Sequence, residues 1–119
     1  MEEKIDEKYI IQYDIYVNII VKHWDDILAF GKYHFTVDYK TFQEILNDPM
    51  RDYLKFGVKE IIYVDLTAFP IYLYQNMEIK DYNNPIKIKK KNKNFNDYKN
   101  KAKEYIKTFD FIDYTDIYY

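Results

Sequence analysis

The chain has 119 residues, of which 48% are apolar, 20% aromatic and 32% charged, with a formal net charge of −2. That length and apolar content suit one globular domain with its own core and exclude disorder of the whole chain. Cysteine and serine are both missing, which removes disulfides, zinc–thiolate sites and thiol or serine nucleophiles together.

The first eight residues, Met1 to Lys8, are charged and acidic. They read as an N-terminal arm and not as a secretory signal. No apolar run approaches the ~20 residues that a membrane span needs. The expectation is a cytoplasmic protein with no membrane partner.

Residues 9–21 give the clearest local signal. Tyr9, Ile11, Tyr13, Ile15, Val17, Ile19 and Val21 take every odd position, with Gln12, Asp14 and Asn18 among the even ones. Period two over this length predicts a β-strand, long enough to need a bend or bulge. Ile10, Tyr16 and Ile20 make the even face partly apolar, so a helix or a second subunit is expected to cover it. A homodimer through this strand is one expectation.

Trp24-Asp25-Asp26 reads as a turn. Residues 28–39 predict a second strand, with Tyr33, Phe35, Val37 and Tyr39 on one face and Lys32, His34, Thr36 and Asp38 on the other. Thr41 and Glu44 fit a capping box, with Thr41 as the cap of a helix whose buried stripe is Phe42, Ile45 and Leu46. Gly57 suits the end of that helical region. Residues 58–67 and 70–79 are β-rich, and Ala68-Phe69-Pro70 suggests a hairpin turn between them. Asp81 to Pro85 is a loop, and Ile86 to Lys89 alternates as a short edge strand. Asn94 or Asn96 is placed to cap a last helix running to about Thr108. Its stripe is Phe95, Tyr98, Ala102, Tyr105, Ile106 and Phe109. The order β-β-α-β-β-(β)-α predicts an α+β domain: an antiparallel sheet of four to five strands with two helices on one face. Residues 1–119 form a single domain in this reading.

Charge is distributed in blocks. Residues 1–86 carry −6, residues 87–107 carry +7 and residues 108–119 carry −3. The closing segment, a Tyr-rich acidic tail over 110–119, interleaves Asp110, Asp113 and Asp116 with Tyr114, Tyr118 and Tyr119. Tyrosine supplies contact area at low entropic cost, and acidic residues complement basic grooves. These six residues are the expected partner-binding set.

The lysine block offers a second candidate. Lys87, Lys89, Lys90, Lys91 and Lys93, with Tyr98 to stack on, suit nucleic-acid phosphates and bases. The chain's only arginine is Arg51, which argues against sequence-specific base reading. A third pattern, Asp65 with Glu78 and Lys80, has the loose spacing of a metal-dependent nuclease. A hairpin near Phe69 would hold Glu78 about 13 Å from the partner of Asp65. His23 and His34 lack a second histidine at ligand spacing, and the two glycines, Gly31 and Gly57, cannot build a phosphate loop. No cofactor or resident metal is expected.

The composition, rich in Ile, Lys, Asn and Tyr, fits an AT-rich genome. The sequence therefore reads as a small non-enzymatic interaction protein, encoded by a virus or mobile element, that binds and inhibits a host protein such as a nucleic-acid-handling defence enzyme. The alternative is nucleic-acid binding through the lysine block, without sequence specificity.

Overall fold

A computed structural model describes residues 9–50 and 58–109. The order of elements is β1 (Tyr9–Lys22), β2 (Leu28–Asp38), α1 (Tyr39–Asn47), β3 (Glu60–Tyr74), β4 (Met77–Lys80), β5 (Ile86–Lys91), a short 3-10 helix (Phe95–Tyr98) and α2 (Lys99–Lys107). The strands form one antiparallel five-stranded sheet in the order β2-β1-β3-β4, with β5 also pairing β3. The α+β class and the element order match the sequence expectation.

β1 is interior. Gln12 to Lys22 pairs β2 on one edge, and Tyr9 to Lys22 pairs β3 on the other. A homodimer built by pairing this strand across a two-fold axis is therefore corrected: both its edges are used within the chain. The β1–β3 ladder slips between Ile10 and Gln12 and again between Ile20 and Val21. Such bulges add twist and let two long strands curl together.

β3 is a single strand through Ala68, Phe69 and Pro70, not two strands with a turn there. Pro70 has no amide hydrogen to give. Its carbonyl accepts from the Asp81 amide at 2.9 Å. A strand residue's N–H and C=O point the same way, so the missing donor faces the β4–β5 side. There β5 has ended at Ile86, opposite Ala68, and β4 is reached only at Lys80, opposite Ile71. A proline is tolerated where the ladder has a gap. The hairpin turn lies instead at Gln75 and Asn76, both at positive φ (50° and 63°), as a two-residue turn that follows the sheet's twist requires.

The helices cover opposite faces of the sheet, where one shared face was expected. The first face carries the odd positions of β1. Tyr13, Ile15, Val17 and Ile19 pack there with Val64, Leu66 and Ala68 of β3 and with Phe42 and Ile45 of α1. Ile86 and Ile88 of β5 extend this cluster. The Tyr13 and Phe42 rings stack with centroids 4.0 Å apart. The second face carries Ile20, Leu28, Ile62 and Tyr63, covered by Phe95, Ala102 and Phe109. The predicted α2 stripe holds throughout, since Tyr98, Tyr105 and Ile106 also pack there. Tyr105 donates its hydroxyl hydrogen to the Leu28 carbonyl at 2.7 Å.

The cap of α1 is Asp38, whose carboxylate accepts from the Thr41 amide at 2.7 Å. Thr41 receives the cap and does not supply it. This bond holds the Asp38 carboxyl below its ordinary range, so the cap's contribution fades as pH falls through that lowered value. The expected helix end at Gly57 lies outside the described residues.

Phe42 is fully buried and anchors α1 to the sheet. Phe42→Ala is expected to cost about 3–5 kcal/mol, the usual range for an emptied aromatic site. Chemical denaturation should show a lowered midpoint with an unchanged slope. A loss below about 1 kcal/mol would contradict this packing.

Candidate functional site

Two surfaces present chemistry beyond what the core requires. The first is the β1–β2 hairpin tip. The His23 amide donates to the Ile27 carbonyl at 3.0 Å, and the Asp26 amide to the His23 carbonyl at 2.9 Å. Asp26 sits at φ 66°. This is a three-residue loop closed by a left-handed residue, a conformation that Asp tolerates. The Asp25 carboxylate accepts from the Ile27 amide at 3.2 Å, and Lys59 reaches Asp26 at 3.4 Å. The turn holds Trp24 at 72% exposure and Ile27 at 59%. An indole held in water on a hydrogen-bonded turn contributes nothing to the core. Sequence reading passed over it, although Trp24 is the chain's only tryptophan and lies among aspartates.

An ion-pair cluster braces the base of this hairpin. Lys22 Nζ lies 2.7 Å from Glu60 Oε1 and donates to the Tyr98 hydroxyl at 2.9 Å. Glu60 also accepts from Asn92 Nδ2 at 2.9 Å and from Asn94 Nδ2 at 3.1 Å. The hydrogen bond to Glu60, then that to Tyr98, hold the Lys22 ammonium above its ordinary range. The bond from Lys22 holds Glu60 below the usual carboxylate range. The cluster ties β1, β3 and the 3-10 helix together, and it occupies the Tyr98 hydroxyl.

The second surface is the part of the second face beyond the cluster under α2. The register sets out two cross-strand rows: Lys32, Asn18, Asp65 and Lys89, then His34, Tyr16, Thr67 and Lys87. Asp14 lies one row further on. Its Oδ1 is 2.5 Å from His34 Nε2, and its Oδ2 is 2.8 Å from Lys80 Nζ. One buried carboxylate thus links β2, β1 and β4, and the sheet must curl for Lys80 to reach it across β3. The hydrogen bond to Asp14 holds Lys80 above its ordinary range. The rings of His34 and Tyr16 stack at 4.2 Å, 6° from parallel.

Asp65 is buried, and its Oδ2 has no hydrogen-bond partner among the described residues. Burial pushes its carboxyl up, against the nearby Lys89 and Lys87 charges. Glu78 pairs Leu73, eight residues along β3 from Asp65, or about 26 Å at ~3.3 Å per residue. The nuclease pattern Asp65–Glu78–Lys80 is therefore not assembled. Among the described residues no three His, Asp or Glu side chains are placed to hold a metal ion, and no helix is long and apolar enough to cross a membrane.

The lysine block divides by strand alternation. Lys87, Lys89 and Lys91 share the second face with Thr67, Asp65 and Tyr63, whereas Lys90 pairs Val64 and belongs to the first. Lys93 lies past the strand and is exposed, and Lys91 Nζ lies 5.0 Å from the Phe95 ring centre. Tyr98 serves the ion-pair cluster instead of the lysine strip. Asp110, Asp113, Tyr114, Asp116, Tyr118 and Tyr119 lie outside the described residues. No family model, no curated protein and no solved structure matches the chain.

A carboxyl raised by burial lowers stability as pH rises above its unfolded value of ~3.9. Asp65→Asn should therefore stabilise the fold by about 1 kcal/mol at pH 7, near the low end of the cost of an unsatisfied buried group. The gain should vanish as pH approaches 4. Thermal melts across this range check it; a gain independent of pH, or a loss at pH 7, would contradict the assignment.

Proposed function

We propose that this chain is a protein-interaction module and that the hairpin tip is its anchor. The observation that carries the reading is the 72% exposure of Trp24 on a hydrogen-bonded turn. Tryptophan is enriched among residues that dominate binding energy, and a pre-ordered turn lowers the entropy lost on association. Asp25 and Asp26 flank the indole, so the complementary partner has an apolar cleft with a basic rim. A nucleic-acid-handling enzyme of a host presents such a groove, and inhibition follows if the tip occupies it.

The acidic tail is a second proposed contact. Asp110, Asp113 and Asp116 carry charge of the same sign, and Tyr114, Tyr118 and Tyr119 supply aromatic area. An origin in a virus or mobile element is part of this proposal and rests on composition alone.

Trp24→Ala is expected to weaken partner binding by about 2–4 kcal/mol while leaving the melting temperature nearly unchanged. Calorimetry with a partner purified from nuclease-treated host extract measures the first, and a thermal melt the second. The lone indole also reports directly, since its emission should shift to the blue when a partner buries it. Wild-type affinity in Trp24→Ala, with no emission shift, would overturn the reading.

A further inference from the structure

β2 ends the sheet on one side, and its outer edge can be read residue by residue. His23 and Ile27 form a hydrogen-bonded pair at the hairpin end, and such pairs alternate with non-bonded ones along an antiparallel ladder. The odd residues of β2, from Ala29 to Val37, therefore bond to β1. The even residues, from Leu28 to Thr36, turn their N–H and C=O groups outward. Leu28 agrees with this parity, since the Tyr105 hydroxyl reaches its carbonyl from outside the ladder. The β1–β2 register runs without a bulge, so the outward groups of Phe30, His34 and Thr36 lie in line. No strand among the described residues pairs them. The side chains of this margin are only half covered: Phe35 and Val37 are partly buried, and Phe30 and Tyr33 are 38% and 40% exposed. Such an edge is a template for one more strand.

The chain's own continuation starts beside it. The Phe109 ring lies 5.8 Å from Phe30 and 6.2 Å from Tyr63, which flank Ile20 in one cross-strand row. Phe109 thus sits over β1, and the slot outside β2 is about 10 Å across and up to about 10 Å down. Ten residues follow Phe109. About four of them make that crossing, and the other six reach about 20 Å at ~3.3 Å per residue, the distance from Phe30 to Thr36. Residues 114–119 contain no Gly or Pro, and Tyr114, Thr115, Ile117, Tyr118 and Tyr119 are types that favour strands. Toward the tip only Leu28 remains, with its carbonyl taken, so a paired tail runs in the same sense as β2. Tethering gives the tail an effective concentration of the order of millimolar, which a second copy does not match in dilute solution.

We propose that residues 114–119 dock along the outer edge of β2 as an added parallel strand. The inference is independent of the partner reading, since pairing uses the tail's backbone and leaves its Asp and Tyr side chains on the two faces.

The test is amide hydrogen exchange on the full chain, read at Phe30, His34 and Thr36 at two protein concentrations. These outward amides should exchange about tenfold or more slower than unstructured ones, equally at both concentrations. Asp116→Pro with Ile117→Pro removes a ladder donor whichever of the two faces β2. It should return His34 and Thr36 to fast exchange while Tyr33 and Phe35, bonded to β1, stay slow. Those two amides also show that the variant is folded. Ile112→Pro, placed in the crossing segment, should leave His34 and Thr36 protected. Fast exchange of His34 and Thr36 in the wild type would overturn the proposal. Protection that persists in the double variant would overturn it as well, and protection that grows with concentration would replace the tail by a second copy.

Discussion

Two strands of 14 and 15 residues, paired antiparallel along nearly their whole length, set the terms for this fold. Strands so long cannot stay flat, because each carries a right-handed twist. The bulges near Ile11 and Ile62 release that constraint, and the sheet curls. Curling brings Lys80 of β4 to Asp14 of β1, and each face packs against one short helix. The pairing also makes β1 interior, so sheet edges are left to β2, β4 and β5.

The two faces meet this constraint with different chemistry. The first is apolar along its length and is closed by α1. The second changes character along the strands, from an aromatic cluster under α2 to polar rows around Asn18, Asp65 and Thr67. A carboxylate such as Asp65 is costly in that position unless something compensates it. Lys87 and Lys89 do so in part. The fold thus tolerates at Asp65 an expense that the first face nowhere incurs, which is the usual mark of a surface shaped by more than packing. Trp24 makes the same point at the hairpin tip, where exposure of a large indole is unnecessary for stability.

Period-two and helical patterns were readable because they are local. The odd positions of β1, the alternation in β2 and the stripe from Phe95 to Phe109 all appear in the structure as the residues imply. The opposite placement of the helices was half visible in Ile10, Tyr16 and Ile20, which make the even face of β1 partly apolar, but these residues do not say whether a helix or a second subunit covers that face. The turn at Gln75 and Asn76 lacks the glycine that usually marks positive φ, while Phe69-Pro70 imitates a breaker. Only the gap between β4 and β5 shows why Pro70 breaks nothing. Asp14 with His34 and Lys80, and Lys22 with Glu60 and Tyr98, join residues far apart in sequence, so no spacing rule could find them. The division of the lysine block did follow from alternation, once Ile86 and Ile88 were placed in the core.

Hydrogen–deuterium exchange, read amide by amide on the full chain, tests whether β1 is held at both edges. Successive amides of an interior antiparallel strand point to opposite neighbours. Slow exchange is expected for every amide from Ile15 to Ile19, odd and even alike, with β4 and β5 opening sooner. Protection at only every second β1 amide would mean that one edge is free, and would contradict the topology on which the rest depends.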